Sequence, residues 1–221
     1  IALTVQGVRV LYRDRWLLAV DKPSGLLSQP GSGPDQADSL ISRVQAHDQA
    51  PDWRLVHRLD RDTSGVLVLA AGLEALRRTS ALFSNRCVNK LYLAHVHGVL
   101  AGRGCIHNRL ARLQRQPPRY GSHPEGREAS TLWRVRSSAA GVTQLWLRPI
   151  TGRSHQLRSH LAEIAHPIIG DPIYGDPIDG DQAAESPFSQ RLRLHAIALS
   201  FCHPFTGQRL RLLSADPWSR R

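Results

Sequence analysis

The apolar residues of this chain arrive in short runs separated by segments rich in Pro, Gly, Ser and Arg. Short runs that alternate, or that are branched and apolar throughout, predict β-strands. VRVLY (Val8–Tyr12) and WLLAVDK (Trp16–Lys22) read as a hairpin, and GVLVLA (Gly65–Ala70) as a strand buried on both faces. In KLYLAHVHG (Lys90–Gly98) one strand face takes Tyr92, Ala94 and Val96, and the other takes Leu91, Leu93 and His95. STLWRVRS (Ser130–Ser137) and VTQLWLRP (Val142–Pro149) predict a second hairpin, and Arg191–Phe201 and Gln208–Leu213 close the chain as strands. Helical spacing is found in three places. Asp38–His47 has Asp38 near its N-cap; Leu73–Asn85 puts Leu73, Leu76 and Phe83 on one side; His155–Ala165 spaces Leu157, Leu161 and Ile164 and is ended by Pro167. Pro23–Pro34 predicts a loop over a surface or cleft, and Gly102–Arg127, rich in Arg, Pro, His and Gly, a mobile insertion. The sum is an α+β fold: one domain over residues 1–221, with a central mixed, mostly antiparallel β-sheet flanked by helices and loops.

Charge changes the picture. Against 18 acidic residues stand 29 basic ones, a net charge of +11, and all but Lys22 and Lys90 of the basic residues are arginine. A balance this positive points to a polyanion, because phosphate contacts and counterion release supply most non-specific nucleic-acid affinity. A 41% apolar content excludes wholesale disorder. Cys87, Cys105 and Cys202 form no CxxC pair, so neither a disulfide framework nor a zinc site is indicated, and a reducing cytoplasm fits. No run is long and apolar enough for a membrane helix. The chain contains no Met and begins at Ile1, so its natural start is expected to lie upstream.

Three clusters carry candidate chemistry: HRLDRDTSG, NKLYLAH and ITGRSHQLRSHLAEIAHPIIGDPIYG. Asp60 lies before a turn among Arg54, Arg58 and Arg61, a setting that favours a carboxylate able to act as nucleophile, base or metal ligand. Asp62 has a simpler reading as a turn residue accepting backbone N–H groups. Arg158 shares a helix face with Ala162 and Ala165, a small-residue surface that another element could approach, and is a natural ion-pair partner for Asp60. The histidines lack metal-ligand spacing: His155 and His160 point apart on a helix, and His95 and His97 share a strand face without a third ligand. No metal is expected.

In this order, HRLDRDTSG, the Lys90–Tyr92–Ala94 segment, TGRSHQLRSHL and HPIIGDPIYG resemble the motifs of the RluA family of pseudouridine synthases. The likeness runs from LYRDRWLLAVDKPSGLLSQPG to the final strand. It most resembles the branch without an accessory N-terminal RNA-binding domain. The resemblance implies the pseudouridine synthase fold with an RNA-binding cleft, and isomerisation of uridine in rRNA or tRNA stem-loops by breaking the N-glycosidic bond and rejoining the base through carbon. It implies Asp60 as the catalytic aspartate, Tyr92 as the active-site tyrosine and Arg158 as the arginine paired with the aspartate. Arg58 would fill the space left by the flipped nucleotide, and His57, Arg61, Thr63, Lys90, Arg153 and His155 would contact RNA. No cofactor is implied, and a monomer is expected. Two other classes remain open on the residues alone: a nucleoside or glycoside hydrolase using Asp60 and Asp62, whose i, i+2 spacing beside a turn suits that chemistry poorly, and a non-catalytic RNA-binding protein.

Overall fold

Strands dominate, as the alternation predicts, and three helices accompany them among the described residues. The computed structural model describes residues 4–33, 36–48, 52–175 and 191–219. These fall into two units. The first combines residues 1–90 with 195–221, and the second spans residues 91–194.

In the first unit, β1 (Thr4–Val5), β2 (Val8–Arg13), β3 (Leu17–Lys22) and β5 (Ser64–Ala71) follow one another antiparallel. β4 (Trp53–Leu55) adds to β5, and β12 (Arg209–Leu213) pairs with β11 (Leu194–Cys202). β11 runs parallel to β5, which makes the sheet mixed. Leu17, Ala19, Val66, Val68 and Ala70 form a core with Leu199, Phe201, Leu210 and Leu212. α1 (Leu40–Asp48) buries Leu40, Ile41 and Val44. Its cap is Ser39, whose Oγ accepts the Ser42 N–H at 3.2 Å, and not Asp38, whose carboxylate reaches forward to Arg43. α2 (Gly72–Ser84) presents Ala75 and Thr79 inward, with Leu76, Leu82 and Phe83 half-buried at the margin. Leu73, expected on the buried side, is 63% exposed: the small residues Ala75 and Thr79 are the buried positions of the helix, and Leu73 lies outside their face.

In the second unit, β6 (Asn89–His97, whose first two residues belong to the first unit), β10 (Val142–Pro149), β9 (Arg127–Ala139), β7 (Arg103–Gln114) and β8 (Arg119–Ser122) are antiparallel neighbours in that order. α3 (Gln156–Glu163) packs Leu157 and Leu161 on one sheet face, against Ala94, Val96, Ile106, Leu145 and Leu147. The mobile insertion expected over Gly102–Arg127 is therefore two strands and the start of a third. Ile106, Leu110 and Ala129 are buried at strand spacing, and the arginines that dominate the composition occupy the exposed positions between them. α3 is shorter than the helix expected over His155–Ala165. His155 is left-handed at φ 52° and Ala165 at φ 62°, so both lie outside it.

Candidate active site

Asp60 sits on the irregular stretch between β4 and β5, and an earlier loop grips that stretch by its backbone. The side chain of Lys22, at the end of β3, is fully buried. Its Nζ donates to the carbonyls of Pro23 (2.9 Å), Leu26 (2.6 Å) and Arg61 (2.8 Å). Gly25 N–H also donates to the Arg61 carbonyl, and Ser24 Oγ donates to that of Asp62 at 2.7 Å. Ser28 Oγ donates to the Leu59 carbonyl at 2.7 Å and accepts the Leu59 N–H at 3.1 Å. The peptide groups on both sides of Asp60 are thus held from the Lys22–Ser28 segment, while the carboxylate itself is half-exposed. Thr63 N–H closes the turn on the Asp60 carbonyl. Gly65 then has to be glycine: its φ is +113°, and a Cβ would lie 2.2 Å from the Ala196 carbonyl oxygen of β11.

Burial pushes the Lys22 ammonium down to about 8, against the upward pull of the Asp62 and Asp60 carboxylates. This cation, which carries no motif signal in the sequence, senses both acids. Two of the arginines expected around Asp60 reach other carboxylates. Arg61 forks onto Asp62 at 2.9 and 3.2 Å, and Arg54 reaches Asp52 at 3.3 Å. Asp62 is therefore paired with its neighbour's side chain, where turn chemistry would have placed backbone N–H groups. Arg58 projects from the same stretch and is exposed. His57 is held inside the unit: its ring stacks on Phe83 at 4.6 Å and its Nε2 accepts the Val68 N–H, while burial and the Lys90 charge hold it down to about 3. Thr63 is buried, and Lys90 is half-buried with its affinity for a proton lowered by burial and then by Arg86.

Tyr92 and Arg158 belong to the second unit. Tyr92, on β6, is half-buried against the cluster under α3. Arg158, on α3, is 3% exposed, and its Nε and Nη2 each donate at 2.7 Å to the two oxygens of buried Asp171. The face shared with Ala162 and Ala165 is thus met within this unit by the turn after Ile169. Asp171 Oδ1 also accepts the N–H groups of Ile173 and Tyr174 at 2.9 and 3.0 Å. Gly170, at φ +70° with Arg191 O 2.3 Å from a would-be Cβ, makes the turn that delivers the carboxylate. The Tyr174 ring lies between two guanidinium groups, Arg119 at 5.5 Å and Arg158 at 5.2 Å, and its hydroxyl meets His155 Nδ1 at 3.1 Å. Arg153 donates through Nε to the Glu128 carbonyl. Nothing in the sequence linked Arg158 to Asp171, thirteen residues away; the D in GDPIYG was the available signal.

A polar chain anchors α3 on the sheet. Gln156 Nε2 donates to Thr131 Oγ1, the Thr131 hydroxyl faces His160 Nδ1 at 2.9 Å, and His160 Nε2 faces Asn108 Oδ1 at 2.8 Å. Asn108 Nδ2 continues to Glu163, which also accepts the Ser122 N–H. Burial lowers His160 to about 4, outweighing the upward pull of the nearby Glu163. Among the described residues, no group of three or more His, Cys, Asp or Glu is arranged to hold a metal ion.

Residues 16–163 match the sequence profile of the RNA pseudouridylate synthase family. The dual-specificity RNA pseudouridine synthase RluA of Yersinia pestis is 41% identical over 201 residues, 90% of this chain and 94% of the relative. The chain belongs to the RNA pseudouridylate synthase family. The Vibrio vulnificus protein of the same name is 40% identical, covering 88% of this chain and 78% of its own length. The ribosomal large subunit pseudouridine synthase D of Xanthomonas campestris is 37% identical, covering 95% and 66%. Among solved structures, human RNA pseudouridylate synthase domain containing 1 superposes with a TM-score of 0.79 at 26% identity, over 98% of this chain and 86% of that one. As a pseudouridine synthase the protein is an isomerase acting on RNA, and the mixed, mostly antiparallel sheet with three helices is the fold of these relatives.

Proposed function

We propose that this pseudouridine synthase modifies uridines in structured stem-loops of rRNA, tRNA or both, with Asp60 as its catalytic carboxylate, and that its two units serve as one monomeric catalytic domain. The observation that carries the assignment of Asp60 is the grip of Lys22, Ser24, Gly25 and Ser28 on the carbonyls of Leu59, Arg61 and Asp62. Those bonds fix the backbone that presents the Asp60 side chain, as a reacting group requires. Tyr92 is the aromatic group proposed to stack on the target base and take part in proton transfer. Arg158 is proposed as the cationic partner of the aspartate. Exposed Arg58 is suited to occupy the stack vacated by an extruded nucleotide, since the scissile bond is inaccessible in a stacked base. Of the remaining residues expected to contact RNA, Arg61, Arg153 and His155 retain accessible surface, whereas Thr63 is buried and His57 is committed to Val68 and Phe83. Two relatives are named as dual-specificity enzymes and a third as a ribosomal large-subunit enzyme, which supports RNA of both kinds and a cytoplasmic place of action.

Carbodiimide mapping of rRNA and tRNA incubated with the protein tests the reading. New pseudouridine at discrete stem-loop positions is expected. Modification only at unstructured sites would contradict the stem-loop assignment, and release of free uracil would make the protein a hydrolase.

A further inference from the structure

The sheet face turned away from α3 in the second unit is laid out in rows that the proposed chemistry does not use. Register places Trp146 of β10, Arg134 of β9 and Arg103 of β7 side by side. The next row holds Arg148, Leu132 and Cys105, followed by Ser130 with His107 and by Glu128 with Arg109. Arg103, Arg109, Arg134, Arg148, Cys105, His107 and Glu128 are exposed, and Leu132 is 38% exposed. Arg136, on the same face, lies with its guanidinium 5.0 Å from the Trp146 ring. Five arginines thus share this face with a single carboxylate, Glu128, among its described residues.

Stability does not account for this arrangement. Side chains directly opposite on antiparallel strands have Cβ atoms about 5 Å apart, where like charges destabilise the sheet. Arg103 and Arg134 are such a pair. The opposite face is the one that carries the apolar cluster and α3, whereas on this one Arg103, Cys105, His107 and Arg109 of β7 and Glu128, Leu132 and Arg134 of β9 are exposed. An aromatic ring flanked by guanidinium groups, on a flat and almost uniformly cationic surface, complements the phosphates and bases of nucleic acid.

We propose that this face is a second RNA-binding surface, which engages the phosphate backbone of a large folded RNA outside the target stem-loop. The proposal rests on RNA being the substrate. It adds that the protein reads its target within a larger RNA, because the arginines lie on the sheet face opposite the helix that carries Arg158.

The test uses the full chain with Arg103, Arg134 and Arg148 all changed to Gln, beside a version with all three changed to Lys. Binding is measured between 50 and 200 mM salt to a folded rRNA fragment of roughly 200 nucleotides and to a 17-nucleotide hairpin, in buffer conditions typical of counterion-release measurements. Loss of three phosphate contacts should lower the log–log salt slope for the long RNA by about 2, which is about a 15-fold smaller drop in affinity across that range. The hairpin slope should not change, and the Lys version should restore the long-RNA slope, because a phosphate contact needs the charge and not the guanidinium fork. An unchanged long-RNA slope, or an equal reduction for the hairpin, would overturn the proposal. So would binding to polyglutamate that falls in the Gln version while RNA binding does not, since that would assign the face to an acidic protein. A single Arg103→Gln change should raise the melting temperature by relieving Arg134; a fall would mean that the arginines are structural and would also overturn it. Absence of pseudouridine formation by the unaltered protein would sink the proposed function instead, and leaves these binding results standing on their own.

Discussion

The candidate residues of the two units are held by different means. In the first unit the protein grips the peptide groups around Asp60, through a buried lysine, two serines and a backbone N–H, and leaves the carboxylate half-exposed. In the second it grips the functional head group itself: the guanidinium of Arg158 is locked to Asp171 and flanked by Tyr174, with almost no exposure. The backbone bonds from Lys22, Ser24, Gly25 and Ser28 do not pass through the Asp60 carboxylate, whereas those that hold Arg158 pass through its guanidinium. A reacting group needs a carboxylate available to substrate; a charge that only has to be in place can be buried, provided that its partner stays.

The largest effect that would sharpen this contrast is expected from Asp171→Asn. It leaves a buried guanidinium short of its counter-charge, a change that costs about 3–5 kcal/mol. A fall of that size in chemical denaturation, accompanied by loss of activity, is expected; wild-type stability would break the comparison. Lys22→Met comes next. It removes a donor from the carbonyls of Pro23, Leu26 and Arg61, of which the buried Leu26 carbonyl costs about 1–3 kcal/mol when left unpaired. Stability should fall by a few kcal/mol, and turnover should fall further than RNA binding, because the stretch carrying Asp60 loses its anchor. Equal losses in binding and turnover would deny Lys22 its positioning role.

A smaller effect concerns pH. In the unfolded chain His160 binds a proton at its ordinary value of 6.5, and in the fold only at about 4. Below 6.5 the unfolded state therefore holds the extra proton, and stability falls as pH drops through the window from 6.5 to 4, with a slope up to about 1.4 kcal/mol per unit. His160→Gln should flatten this part of the stability profile, although His57, also depressed, keeps some slope. An unchanged profile would place a proton on His160 in the fold and break the polar chain that seats α3.

The contrast also explains what was legible in the sequence. Elements announced by an unbroken apolar run or by one repeating face could be read: the apolar run of β5, the β2–β3 hairpin, and Leu157 and Leu161 under α3. Asp60, Tyr92 and Arg158 were legible as members of ordered motifs. The grip was not. Lys22 is a charge at the end of a strand, which normally signals surface, and its burial depends on three carbonyls that no pattern reveals. Asp171 was hidden because its partner lies a helix and a turn away in the chain. Gly102–Arg127 misled through composition: exposed arginines such as Arg103, Arg109 and Arg112 masked Ile106 and Leu110, the buried positions that make β7 a strand.

Replacing Asp60 by Asn tests the central claim most directly. The change keeps the side chain's shape and touches none of the bonds from Lys22, Ser24, Gly25 and Ser28, so melting temperature and RNA affinity should stay near wild type, while single-turnover pseudouridine formation on fully bound RNA falls to background. Measurable turnover by a folded, RNA-bound Asp60→Asn protein would contradict the account; so would a collapse of its stability, which would make Asp60 part of the grip rather than the group that the grip presents.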